Sequence, residues 1–302
     1  MPNLEYFVVD VFTAEPLTGN PLAVVMNTCG LTTEQMQAVA REFNLSETTF
    51  VERRAAELEK TEGVPVRIFT TQEELPFAGH PTLGTASVLK LHAPETVQND
   101  TVTLALKVGQ VPVHFEQRDG GSAELFGEMT QRNPEFGVEL DPSIVARLTG
   151  LAADDLDAAL PPQVVSTGTA FAIVTLRLAA ALAQLNVKQD AATKWLRESG
   201  ARWFYVLGPD LDQRLGQRQW RARMQFYGGE DPATGSAAGC AIAYLVDRGA
   251  VPPGARVHLR QGAEIGRASD LFLSAKKESA RVRDVRVAGS TVPVAKGRLF
   301  LP

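Results

Sequence analysis

Three short segments of this chain occur twice, in the same order, and that repetition constrains the fold more than any other feature. Thr18-Gly19-Asn20-Pro21-Leu22-Ala23-Val24-Val25 matches Thr167-Gly168-Thr169-Ala170-Phe171-Ala172-Ile173-Val174, each a tight glycine turn feeding an apolar strand. His80-Pro81-Thr82-Leu83-Gly84-Thr85-Ala86 matches Asp231-Pro232-Ala233-Thr234-Gly235-Ser236-Ala237, and Leu106-Lys107-Val108-Gly109 matches Leu259-Arg260-Gln261-Gly262. The separations of 149, 151 and 153 residues are nearly constant. Glycine turns look alike, so one match would mean little, but three collinear ones predict a duplicated chain.

A length of 302 residues leaves room for two ordinary domains. In the first half Thr32 and Gln35 fit a capping box, and Met36, Val39, Ala40 and Phe43 follow helical spacing, so a helix is expected to end near Phe43. Residues 48–51 then read as a strand. In the second half Asp190 is placed to cap a helix carrying Ala192, Trp195 and Leu196 and stopping near Gly200, with a strand over 203–207. The connection is expected within 127–141, where Asn133-Pro134 and Asp141-Pro142 punctuate the chain and Asp141 can cap the next helix. The expected domains are 1–130 and 131–302, with a return of the last segment to the first half left open. Many short strands among Gly, Pro and Asn turns, with few helices, predict α+β halves.

Composition excludes several function classes. A hydrophobic fraction of 44% and a charged fraction of 22% describe an ordinary folded protein. The net charge is −5 and the basic residues are scattered, which offers a nucleic acid no landing surface. No run is long and apolar enough for a membrane span, and the opening residues carry Glu5 where a signal peptide would carry positive charge, so a cytoplasmic protein is expected. Cys29 and Cys240 make no disulfide framework, although a single bridge between them stays open. His80, His92, His114 and His258 stand far apart, so no metal is expected. No P-loop or G-x-G-x-x-G follows a strand, and no cofactor is expected.

Residues 66–70 read as a strand, Gly79-His80-Pro81 as a turn and 82–91 as a helix. The second copy repeats the plan with a strand over 221–227, the turn Gly228-Gly229-Glu230-Asp231-Pro232 and a helix over 235–246, and Asp231 takes the place of His80. Helix starts present unpaired N–H groups and a partial positive charge, which suits an anionic substrate such as a carboxylate. Glycine lets such a ligand approach the backbone. The plainer reading, with Asp231 only capping its helix and His80 packed at a turn, stays open at this point. Glu47, in Asn44-Leu45-Ser46-Glu47-Thr48-Thr49-Phe50-Val51, has no acidic twin in Ser199-Gly200-Ala201-Arg202-Trp203-Phe204-Tyr205-Val206. A carboxyl group partly buried at a strand end is suited to proton transfer; a solvated glutamate is the alternative.

Taken together, Phe12 with Thr18-Gly19-Asn20-Pro21-Leu22-Ala23-Val24-Val25, Asn44-Leu45-Ser46-Glu47-Thr48-Thr49-Phe50, Gly79-His80-Pro81-Thr82-Leu83-Gly84 and Gly229-Glu230-Asp231-Pro232-Ala233-Thr234-Gly235-Ser236-Ala237 resemble the phenazine-biosynthesis PhzF-like family over nearly the whole chain. That family shares its duplicated architecture with diaminopimelate epimerase and proline racemase. The resemblance implies two pseudo-symmetric α+β domains, each a curled sheet around a central helix, with a metal-free and cofactor-free site in the cleft between them, and often a homodimer. It implies Glu47 as the acid/base residue, His80 and Asp231 as its catalytic companions and Ser236 as a substrate contact. Asn20, Gly79, Gly84 and Gly235 join Ser236 as candidate substrate-binding residues. The related epimerases use paired cysteines at these helix starts, where this chain has Ala78 and the segment 231–233, although Cys240 on the second helix keeps that route open as an alternative.

The function this implies is a cofactor-independent isomerisation that moves a proton between carbons of a small carboxylate, as in the phenazine enzyme acting on dihydro-hydroxyanthranilate. The rivals are an amino-acid epimerase or racemase and a binding protein that has lost turnover.

Overall fold

The computed structural model describes residues 3–116, 124–210, 219–226 and 229–301. Its backbone separates into one unit formed by Met1–Thr130 with Ala288–Pro302, and another formed by Gln131–Val287. In the first unit β1 (Asn3–Val11) and β2 (Asn20–Val25) pair antiparallel, and α1 (Thr33–Phe43) crosses to β3 (Glu47–Val51), parallel to β2. After α2 (Ala56–Glu62), β4 (Val64–Phe69) runs antiparallel to β3 and the short β5 (Glu74–Leu75) folds back on it. Then α3 (Gly79–His92) leads to β6 (Thr101–Leu106), parallel to β4, and β7 (Gly109–Glu116) and β8 (Leu125–Thr130) continue antiparallel.

The second unit begins with β9 (Glu135–Glu139), α4 (Pro142–Thr149), β10 (Gln163–Ser166) and β11 (Ala170–Thr175). It continues through α5 (Gln189–Glu198), β12 (Trp203–Asp210), β13 (Gln219–Arg223) and a two-stranded ribbon of β14 (Gln225–Phe226) and β15 (Gly229–Glu230). Next come α6 (Gly235–Asp247), β16 (Val257–Gln261), β17 (Ser269–Glu278) and β18 (Arg281–Phe300). The pairing senses of the first unit recur: β10 and β11 antiparallel, β11 and β12 parallel, β12 and β13 antiparallel, β13 and β16 parallel, β16 and β17 antiparallel. From residue 291 onward β18 pairs antiparallel with β1, and it also neighbours β8, so the first unit's sheet curls closed around α3.

Each unit therefore holds one helix with almost no solvent face. Residues 79–89 of α3 are all buried, packed against β1, β2, β3, β6, β7 and β8, and residues 235–246 of α6 are buried against β10, β11 and β17. A helix in that position must be apolar or small on every side. Both sequences, GHPTLGTASVL and GSAAGCAIAYLV, meet the requirement except at His80 in the first turn of α3. At Gly84 the fit is closest: a Cβ there would lie 2.7 Å from both Leu22 Cδ2 and Val11 Cγ2.

Several local expectations are corrected. The helix entered through the Thr32–Gln35 capping box is present, and Asp141 caps α4 by accepting from the Ser143 N–H at 2.8 Å. At α5, however, Lys188 occupies the cap position with no side-chain cap bond and Asp190 lies inside the first turn, where its charge favours the helix dipole instead. The boundary between the units, Thr130 to Gln131, falls within 127–141, a stretch that also holds the end of β8 and all of β9. Gly79, His80 and Pro81 are the first turn of α3, with Ala78 at the cap position. The strand expected over 221–227 breaks after Arg223, and Tyr227 and Gly228 lie outside the described residues.

Because Val11 and Leu22 are themselves fully buried, they cannot swing away from an added side chain. Gly84→Leu is expected to destabilise the protein by about 1–3 kcal/mol through overpacking, read as an earlier midpoint in urea unfolding.

Candidate functional site

In the first unit, sheet register and helix docking bring three polar side chains together. Leu22 of β2 stands opposite Glu47 of β3, so Asn20 and Glu47 lie at neighbouring strand starts. Gly19, at φ +67°, turns the chain into β2, and a Cβ there would fall 2.5 Å from the Val11 carbonyl oxygen. A buried hydroxyl contact of 2.8 Å between Thr49 and Thr85 fixes α3 alongside the face of β3 that carries Glu47. His80, the second residue of α3, then has Nδ1 3.1 Å from Asn20 Nδ2 and Nε2 3.4 Å from Glu47 Oε2. All three residues are buried.

Burial pushes the His80 ring down to about 3, so at neutral pH it is an uncharged imidazole. Its approach to Glu47 is consequently a carboxyl group beside a neutral ring and not an ion pair. In the second unit Trp203 of β12 stands opposite Phe171, the counterpart of Leu22 in the repeated segment, so Trp203 holds the register position of Glu47. The second unit has no carboxyl group there.

The start of α6 is organised by hydrogen bonds that the sequence reading missed. Asp231 is buried, its N–H donates to the Met224 carbonyl at 2.9 Å, and its Oδ2 accepts from the Thr234 hydroxyl at 2.6 Å. The buried Gln261 amide uses both ends: Nε2 donates to the Asp231 carbonyl at 2.8 Å and to Thr234 Oγ1 at 3.0 Å, while Oε1 accepts from the Tyr205 hydroxyl at 2.9 Å and the Thr234 N–H at 3.2 Å. Gln131 holds the next residue, donating to the Gly235 carbonyl at 2.9 Å and accepting from Thr167 Oγ1 at 2.6 Å. Gly262, at φ +78°, lets β16 end against this segment, since a Cβ would lie 2.5 Å from the Pro232 carbonyl oxygen. Gln261 and Gly262 stand in the third repeated segment, which reads from sequence only as a glycine turn.

The candidate residues thus separate by unit. Asn20, Glu47 and His80 meet, and Gly79 opens the helix that carries His80. Gly84 leaves the substrate-binding set, because it faces Val11 and Leu22 in the core. Gly235 and Ser236 are the first two residues of α6, whereas Asp231 precedes the helix by four residues. By helix position the counterpart of His80 is therefore Ser236, and the pairing of His80 with Asp231 from the sequence repeat is displaced. Both cysteines are free; Cys29 is exposed, and Cys240 is buried beside Thr167 with its thiol pushed up to about 12 by desolvation. A thiol so held is not a nucleophile at neutral pH. Among the described residues no group of three His, Cys, Asp or Glu is placed to hold a metal, and no helix is long and apolar enough to cross a membrane.

The sequence profile of the phenazine biosynthesis-like protein family matches residues 9–297. The chain belongs to that family. It is 36% identical to the trans-2,3-dihydro-3-hydroxyanthranilate isomerase of Pseudomonas aeruginosa, over 98% of this chain and 99% of that one. Among solved structures it is similar to a predicted epimerase from Pseudomonas aeruginosa, with a TM-score of 0.83 and 34% identity over 99% of this chain and all of the other. A probable proline racemase from Agrobacterium radiobacter, at TM-score 0.65 and 12% identity, covers 99% of this chain and 93% of its own and shares the fold. The fold is thus the α+β, diaminopimelate epimerase-like one that the resemblance implies.

Two outcomes follow from the geometry. An unfolded histidine binds a proton below about pH 6.5, but folded His80 stays neutral down to about 3. Stability should therefore fall as pH drops below 6.5, by up to about 1.4 kcal/mol per unit, and His80→Gln should flatten the slope of urea stability between pH 5 and 7. In Gln261→Leu, the Asp231 carbonyl, the Thr234 N–H and the Tyr205 hydroxyl lose their partner, and thermal unfolding should register a loss of at least about 1–3 kcal/mol.

Proposed function

We propose that this chain is a cofactor-independent isomerase that moves a proton between two carbons of a small carboxylate, with Glu47 as general acid/base. In this reading the Glu47 carboxylate takes a proton from one carbon, the C–H electron pair moves into the neighbouring π system, and the protonated Glu47 returns the proton at the far end of that system. Atoms and charge balance with no external oxidant or reductant. His80 orients or polarises the substrate, and Asp231, with Gly235 and Ser236 at the start of α6, recognises its polar and anionic groups. The isomerase names of relatives that span nearly the whole chain support the reaction class. They also make trans-2,3-dihydro-3-hydroxyanthranilate the first compound to offer. The reading includes a cytoplasmic homodimer, on the strength of the family resemblance.

The observation that carries the reading is the buried Glu47 carboxyl 3.4 Å from a neutral imidazole, with a tryptophan at its register counterpart. One shielded carboxyl suits a one-base route, and a two-base racemase would need a second. Cys240, the thiol nearest in sequence to the α6 start, is held protonated. A single base that collects and returns one proton transfers part of it directly, so product formed in deuterium oxide should keep some original hydrogen. Two opposed bases would bring in solvent deuterium.

Glu47→Gln keeps the shape of the side chain but cannot carry a proton. Turnover is expected to fall at least about 100-fold, with ligand affinity little changed. Near-normal turnover in Glu47→Gln, or its abolition in Cys240→Ala, would hand the assignment to the racemase mechanism.

A further inference from the structure

The Asn20 amide nitrogen, 3.1 Å from His80 Nδ1, carries protons and no lone pair, so at this contact Nδ1 must accept. An uncharged ring has one N–H, and with Nδ1 accepting, that proton resides on Nε2. The Nε2 atom makes no hydrogen bond within the described chain and lies 3.4 Å from Glu47 Oε2, a little beyond ordinary hydrogen-bond length. We infer that Asn20 is a positioning residue that holds His80 as the Nε2–H tautomer, so that the ring meets Glu47, or a ligand atom beside it, as a hydrogen-bond donor and never as a second base.

The setting makes Asn20 suited to the task. It is fully buried at the first position of β2, between a glycine turn at φ +67° and a strand that pairs on both sides, with β1 and with β3. Its backbone is paired opposite Val11, and burial removes the water that would otherwise compete for Nδ1. Burial keeps the ring uncharged, and at that contact a second ring proton would face the Asn20 NH₂ group. Asn20 therefore acts through His80. The functional consequence rests on the Glu47 reading above: with the Nε2 lone pair absent, Glu47 is left as the only base of this cluster. The tautomer itself does not depend on that reading.

The experiment is a long-range ¹H–¹⁵N spectrum of histidine-labelled protein at neutral pH, with His80 assigned by its loss in His80→Gln. Wild type should show a protonated, pyrrole-type Nε2 and a pyridine-type Nδ1. In Asn20→Asp the new carboxylate can only accept, so the proton should move to Nδ1, or the ring should gain a second one. Should that variant not fold, Asn20→Ala serves, and it should show both tautomers. A wild-type ring with a pyridine-type Nε2 overturns the inference, as does an Asn20 variant whose His80 signals are unchanged. An Nε2–H ring in a protein whose Glu47→Gln variant still turns over would keep this inference and remove the functional reading instead.

Discussion

Enclosing a helix on every side by a sheet is the condition on which the rest of this structure depends. A helix with no solvent face has nowhere to place charged residues, and its first turn still carries N–H groups with no partner inside the helix. In α3 and α6 this end coincides with the candidate chemistry. Among the described residues no side chain caps the α6 N–H groups; Thr234 and the amides of Gln261 and Gln131 instead hold the segment from Asp231 to Gly235 in place. In the first unit the Thr82 hydroxyl turns back to the Ala78 carbonyl at 2.7 Å, and His80 is left to face Asn20 and Glu47.

Burial also decides what these groups can do. An imidazole in water near neutral pH is a mixture of forms, while one enclosed as His80 is has a single charge state and, beside Asn20, a single proton position. A carboxyl group next to it sees a fixed dipole and not a fluctuating charge. Preorganised dipoles of this kind stabilise developing charge without having to reorient during a reaction. The buried Cys240 shows the opposite use of the same environment: desolvation leaves it a small packing residue against Thr167.

How far the sequence could be read depended on whether a feature was local. The capping box at Thr32, the helical spacing behind it and the cap at Asp141 are decided within a few residues, and they were legible. Asp190 was misread because any acid near a helix start looks like a cap, and only the backbone geometry at Lys188 distinguishes it. The match of His80 with Asp231 came from shared proline, glycine and alanine, but the helices begin at Gly79 and Gly235, which pairs His80 with Ser236. Gly84 looked like a ligand-facing glycine because its motif is one, yet its missing side chain makes room for Val11 and Leu22. Gln261 was invisible, since nothing in its neighbours signals an amide whose partners lie 27 to 56 positions away.

The pairing of β1 with β18 bears on how the molecule is made. On the ribosome β1 emerges well before the residues that pair along its edge, 291–300. The segment 131–287 is continuous, and β9 to β17 can find their neighbours among residues already synthesised. The apolar face of β1, including Phe7, Val9 and Val11, must wait with one side of its strand open until residues 291–300 are made. An unpaired strand edge is the feature that most invites association with other chains. The unit whose synthesis begins first is therefore the one whose folding is completed last.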